Sequence, residues 1–181
     1  MRKFLFPLVG ILLLLLPLCG CGTEEPSLTE TADGGNVCTV TILCDTAVAS
    51  PDCDPDILAI LPPDGCILSE TQTAFSEGDS VFDVLKAVCR EQKIHMEYME
   101  TPLYHCAYLE GVANLYEFDC GSLSGWMYAV NDVYPPFGCS RYPVEPGDRI
   151  TVRSTCALGE DIGGDYASQT ADMPDAPAAA S

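Results

Sequence analysis

No lysine or arginine occurs between Cys21 and Lys86, and the whole 181-residue chain holds eight basic residues against 27 acidic ones, a formal charge of −19. A surface so anionic repels phosphate backbones, which argues against any nucleic acid partner. Histidine is nearly absent as well, with only His95 and His105, and neither lies in a catalytic motif. A Ser-His-Asp site therefore has no base to build on. With two imidazoles and no Cys-x-x-Cys spacing, a zinc site lacks its ligands, and no metal or certain cofactor is expected. Gly121-Ser-Leu-Ser-Gly125 places Leu123 where a nucleophile elbow requires serine. Cys106 follows His105 directly, but neighbours along a strand point to opposite faces, so Cys106 reads as a disulfide candidate and not as a thiol nucleophile. The chain is expected not to be an enzyme.

Long apolar runs are also missing, except for Phe4 to Leu18. That run is too short to span a bilayer comfortably and contains Pro7 and Pro17. Arg2 and Lys3 precede it, and Leu18-Cys19-Gly20-Cys21 closes it, as in a bacterial lipobox. This pattern predicts a signal peptide over 1–20 and an acylated Cys21 (palmitate or a similar chain) as the first mature residue. The protein is then extracytoplasmic and held on the bacterial membrane by its acyl chains. Two chains on one residue suffice for stable attachment, whereas the acidic domain surface would be repelled by anionic headgroups.

Residues 21–36 are rich in Thr, Glu and Gly without apolar periodicity, and read as a flexible tether. Residues 159–181 are Ala-, Pro- and Asp-rich and read as a disordered acidic tail. The folded unit is predicted over 37–158. Cys38, Val40, Ile42 and Cys44 alternate with Thr39, Thr41 and Leu43, which predicts a strand with one apolar face. The segment from Asp45 to Gly65 reads as a long loop, and Ile67 to Phe75 as a weaker strand. Ser80 with Asp83 forms a capping-box pattern ahead of an apolar stripe at Val81, Val84, Leu85 and Val88, which predicts the one long helix. Short strands are expected at Ile94–Tyr98, Tyr104–Leu109 and Leu115–Phe118. A stronger one runs over Gly125–Val130, with Trp126, Tyr128 and Val130 on one face. Asn131-Asp132 suits a tight turn into a return strand at Val133–Tyr134. Arg149 to Cys156 is the last strand. One amphipathic helix over a small mixed sheet is an α+β arrangement close to a β-grasp, in which the first and last strands lie side by side and parallel.

Nine cysteines follow Cys21. In an exported chain they are disulfide candidates. Sequence does not choose among the connectivities, and local context ranks four pairs. Cys53 with Cys66 would close the long loop, and Cys89 with Cys106 would staple the helix. Cys44 with Cys156 would join the ends of the first and last strands. Cys120 with Cys139 would close a loop worth about 3 kcal/mol by chain entropy. Cys38 is then the odd thiol.

Several segments together carry a resemblance. They are Asn114-Leu-Tyr-Glu-Phe-Asp-Cys-Gly-Ser-Leu-Ser-Gly-Trp-Met-Tyr-Ala-Val-Asn-Asp132, Gly138-Cys-Ser-Arg-Tyr142, Pro146-Gly-Asp148, Thr155-Cys-Ala-Leu-Gly159 and Glu77-Gly-Asp-Ser-Val-Phe-Asp-Val-Leu85. They resemble the transcobalamin C-terminal-like domain of bacterial surface lipoproteins, in the soluble-ligand-binding β-grasp group. The resemblance covers about Val37 to Asp161. It implies a relative of the small β-rich domain that, in animal cobalamin carriers, caps a ligand held against a helical barrel. The present chain has no room for such a barrel, so at best half of such a pocket is present. The cysteines of the Cys53–Cys66 and Cys89–Cys106 candidates look like additions to the family's usual set.

Trp126, Tyr128, Tyr134 and Phe137 are the ligand-binding candidates. An indole among such rings can floor a site for a planar ring or a sugar face, although strand alternation alone accounts for Trp126 as core. Pro135 and Pro136 stiffen the loop that carries Phe137, which lowers the ordering cost of binding if the ring is exposed; a turn with Phe137 packed inward is the other reading. Asp52, Asp54 and Asp56 have the early spacing of a calcium loop, but Ile57 and Pro63 stand where that loop needs Gly and Glu, so a solvated acidic loop is favoured. The expected function is a membrane-tethered module that captures or presents a small ligand. A corrinoid is the specific candidate, presented to a transporter or a second surface protein. The alternative is an adhesion module for protein or glycan.

Overall fold

The computed structural model describes residues 35–101 and 106–164. Cys21, most of the tether, His105 and residues 165–181 lie outside the described residues. The elements run β1 (Asn36–Leu43), α1 (Asp45–Ala49), α2 (Pro55–Leu58), β2 (Cys66–Phe75), α3 (Val81–Gln92), β3 (Met96–Thr101), β4 (Cys106–Val112), β5 (Leu115–Tyr116), β6 (Gly125–Val130) and β7 (Arg149–Thr155). Single 3-10 turns lie at Cys139–Arg141 and Glu160–Ile162.

A four-stranded sheet has the order β2-β1-β7-β6, and a second sheet has the order β3-β4-β5. β1 lies parallel to β7, with Val40 opposite Ile150 and Ile42 opposite Val152. The outer pairs, β1 with β2 and β6 with β7, are antiparallel. The first and last strands are thus central and parallel, under one main helix, and the domain is a small mixed α+β unit of β-grasp type. Its centre is apolar because the periods match. Cys38, Val40 and Ile42 face inward at every second position of β1, while Val81, Val84, Leu85 and Val88 line the inner stripe of α3. The helix starts where the capping pattern predicts: Ser80 Oγ accepts the Asp83 amide at 3.2 Å, and Asp83 Oδ2 accepts the Ser80 amide at 3.1 Å. It ends at Lys93, whose φ of 57° is left-handed.

Three local readings are corrected. The expected loop at 45–65 contains α1 and α2, and Ala47, Cys53 and Leu61 form a second small core with Cys44, Leu115 and Cys120. Asp54 caps α2 by accepting the Asp56 amide at 2.8 Å, so its carboxylate serves the backbone. Gly65 lets this segment fold back. Its φ is 70°, and a Cβ there would stand 2.5 Å from Asp45 Cα. Asn131 and Asp132 do adopt positive φ, but the return strand shrinks to a single bridge between Val130 and Val133. The ladder stops there because Pro135 and Pro136 follow at once and lack the amide donors that a continued pairing on the free edge of β6 would need. Past Leu158 the chain stays packed as far as Ile162, which is buried with Ala129 and Tyr134.

The disulfide pairing also differs. Cys53 is bonded to Cys120, which excludes both Cys53–Cys66 and Cys120–Cys139. The second core brings Cys53 and Cys120 together, whereas Cys139 belongs to the main core. Cys66 is opposite Leu43 in the β1–β2 register. Cys44 and Cys156 are not joined: Cys44 is buried in the second core and Cys156 is half-buried against it, but neither forms a disulfide. Cys89 is not bonded to Cys106; it is a buried residue of α3, while Cys106 lies against Gly138. Cys38 is an unbonded thiol in the main core, as are Cys89 and Cys139.

Candidate functional site

The strands and loops frame a cleft of about 260 Å³. Leu85 of α3 and Val152 of β7 lie at its apolar base, β4 supplies Ala107 to Leu109, and β6 supplies Trp126 to Tyr128. The segment from Pro135 to Cys139 forms the remaining wall. Three of the four predicted ligand-binding residues, Trp126, Tyr128 and Phe137, therefore meet at one place. The fourth does not. Tyr134 is buried in a separate cluster with Ala129 and Ile162. Its phenol is pushed above the usual range by burial, which the nearby Arg153 partly offsets.

The walls are braced. Tyr128 donates its hydroxyl to the Phe137 carbonyl at 2.8 Å, so a strand residue holds the proline loop. Ala107 donates its amide to Ser140 Oγ at 2.9 Å, which fastens the turn after the loop to β4. Phe137 stacks on Tyr142, with ring centroids 6.1 Å apart and planes 20° apart, and the Arg141 guanidinium lies 6.0 Å from the Phe137 centroid. Gly138 permits the close approach to β4, because a Cβ there would lie 2.9 Å from Cys106 Cβ. Trp126 donates its indole N–H to the Leu115 carbonyl at 3.0 Å and packs against both the main and the second core. One indole thus joins the two cores and also edges the cleft. Phe137 is half-buried on Tyr142 and lines the cleft.

The lining carries no carboxylate, imidazole or amine. Its one thiol, Cys139, is pushed up to about 11, chiefly by burial, and so stays protonated near neutral pH. The Tyr108 phenol is pushed up to about 12 by burial and by its hydrogen bond to Glu117. An aromatic, unionised cleft is suited to contact and has no acid–base pair to offer. Among the described residues no group of three or more His, Cys, Asp or Glu side chains is placed to hold a metal ion. Tyr108 and Leu109 were missed by sequence reasoning, because a short strand with weak alternation does not show which face meets the cleft.

Residues 78–155 match the family described as a domain of unknown function, DUF4430. No curated protein matches the chain. Among solved structures, haptocorrin in complex with Cbi is similar over 68% of this chain, at 12% identity and a TM-score of 0.47. The chain spans about a quarter of that protein's length, 26%. A candidate metal-binding protein from Ruminococcus gnavus is similar over 66% of this chain and 96% of its own, at 16% identity and a TM-score of 0.40. Both are distant likenesses of fold and neither assigns a ligand.

Proposed function

We propose that the protein is a small-ligand-binding module that works by contact at the aromatic cleft, tethered outside the bacterial membrane by an acylated Cys21. The cleft itself carries this reading: four aromatic side chains and two prolines are held around an apolar base, braced by hydrogen bonds from Tyr128 and Ala107. Rigid walls lower the ordering cost of binding. At about 260 Å³ the cleft is smaller than a pocket that encloses a drug-sized ligand, roughly 300–1,000 Å³, so it covers one face or edge of a larger molecule. That geometry suits a planar ring presented to, or shared with, a second surface. A corrinoid is the specific ligand favoured by the sequence resemblance of the Trp126 segment.

The test is titration of the oxidised protein with cobalamin and with cobinamide, followed by calorimetry and by Trp126 fluorescence, the chain's only tryptophan signal. Binding in the micromolar range, weakened roughly threefold to tenfold by Phe137→Ala, is expected for an aromatic contact worth roughly 0.5–1.5 kcal/mol. No heat and no spectral change at high micromolar ligand removes the corrinoid version. Mass spectrometry of the membrane-extracted protein checks the anchor through the acyl mass on Cys21.

A further inference from the structure

We propose that the loop cluster around the Cys53–Cys120 bond is a docking surface for a protein partner whose contact face is apolar at its centre and ringed by lysine or arginine. Three large apolar side chains stand in solvent there: Phe118 at 62%, Leu123 at 49% and Leu158 at 65% exposure. They sit on adjoining loops, because Phe118 donates its amide to the Ser124 carbonyl at 3.2 Å and Leu158 donates its amide to the Leu123 carbonyl at 3.0 Å. None of the three belongs to any apolar cluster of the described residues.

The backbone holds two of them at a cost. Phe118 has φ 70° and Leu158 has φ 51°, the left-handed region that glycine or asparagine would occupy with less strain, roughly 1 kcal/mol or more per residue. Strain and apolar exposure therefore coincide at the same two residues, and no packing within the domain offsets either. The loops are also fixed in advance. The disulfide ties Cys120 to Cys53, Asp54 donates its amide to the Asp119 carbonyl, and Cys120 donates its amide to Ser124 Oγ at 3.1 Å. On the other loop Gly159 donates its amide to Thr155 Oγ1 at 2.7 Å. A surface ordered before contact loses little entropy on docking.

Charge selects the occupant. Residues 51–58, 117–125 and 156–164 together carry seven acids (Asp52, Asp54, Asp56, Glu117, Asp119, Glu160 and Asp161) and no base. A second copy presents the same sign and is repelled, and so is an anionic bilayer. A basic-rimmed apolar face is attracted and oriented. None of Phe118, Leu123 and Leu158 lines the aromatic cleft, so a partner can dock while the cleft is filled.

The probes are three synthetic peptides that share one Leu- and Phe-rich amphipathic core. They are flanked by Lys/Arg, by Gly/Ser or by Asp/Glu, and are read by fluorescence anisotropy against the full oxidised chain. The Lys/Arg-flanked peptide is expected to bind at least tenfold tighter than the Gly/Ser one, and added salt is expected to weaken it. The double variant Phe118→Ser/Leu158→Ser is expected to lower that affinity at least tenfold with an unchanged near-ultraviolet circular dichroism spectrum. Asp52→Asn/Glu160→Gln is expected to reduce the salt dependence. Binding that ignores the double variant is mere charge attraction and overturns the proposal. So does equal binding of all three peptides. Self-association in the ultracentrifuge, or co-sedimentation with phosphatidylcholine vesicles, that Leu158→Ser abolishes overturns it in favour of another occupant. Cobinamide titration of the double variant keeps this test separate from that of the cleft.

Discussion

The two cores of this domain are built by different means. The main core stacks Val40 and Ile42 of β1 and Ile150 and Val152 of β7 against Val81, Val84, Leu85 and Val88 of α3, and needs no bond beyond apolar contact. The second core is little more than Cys44, Ala47, Cys53, Leu61, Leu115 and Cys120, with two short helices over it and a disulfide through it. A group of apolar side chains this small cannot offset the entropy of ordering the segment from Asp45 to Gly65 unaided. A covalent link that shrinks the unfolded ensemble supplies what the area lacks. Trp126, packed on both, joins them.

Breaking the covalent link should have the largest effect. The Cys53–Cys120 bond closes a separation of 67 residues, for which the chain-entropy model gives about 4 kcal/mol. In the double variant Cys53→Ser/Cys120→Ser, thermolysin should cut near Ile57–Leu61 before the rest of the domain melts. If cutting and global melting coincide, the two cores form one cooperative unit and the contrast fails. Leu85→Ala, at a fully buried position of α3, should cost roughly 3 kcal/mol and lower the denaturant midpoint of the whole domain. It should also widen the base of the cleft and weaken ligand binding, which calorimetry would register.

Ser80→Ala removes one half of the capping box and should cost about 1 kcal/mol, with Asp83→Ala adding less than its own full effect because the two side chains serve each other. The smallest effect belongs to Asp45, which connects the second core to β7. Arg153 donates from Nε to Asp45 Oδ1 at 2.9 Å, and this hydrogen bond holds the Asp45 carboxyl below its usual 3.8. A pKa lower in the folded state than in the unfolded state means that the stabilisation is full above the unfolded value and is lost as pH falls through the folded one. With 40% of the Asp45 side chain exposed, solvent screening keeps it under about 1 kcal/mol. Urea midpoints of Asp45→Asn and the unaltered chain should differ slightly at pH 6 and converge in acid, once the pH has fallen through the lowered folded pKa. A difference that persists in acid would show that the pair acts by packing and not by charge.

The main core was legible because its signals are local and periodic. The Ser80–Asp83 cap, the apolar stripe of α3 and the alternation in β1, β6 and β7 each lie within a dozen residues, and burial then leaves one way to face them together. Half the cleft was legible for the same reason: Trp126 and Tyr128 share a strand face, and Pro135-Pro136-Phe137 announces a stiff loop. Tyr134, only a few residues away, looked equivalent but is buried on Ala129 and Ile162, since nothing local to the chain says which side of the sheet a residue after a tight turn will take.

What sequence alone determined is the class of molecule: acidic, poor in histidine and basic residues, α+β, with its first and last strands paired and one capped helix across them. Those properties follow from composition and from short-range period, which every part of the chain carries with it. Only the tertiary structure decided that Cys53 meets Cys120, that Phe118 and Leu158 stand strained in solvent, and that Leu109 faces Phe137 across a cleft. Each of these depends on where separate elements come to rest against one another. A thiol's chemistry is the same in every candidate pair, so distance alone selects the bond, and distance is set by the packed cores.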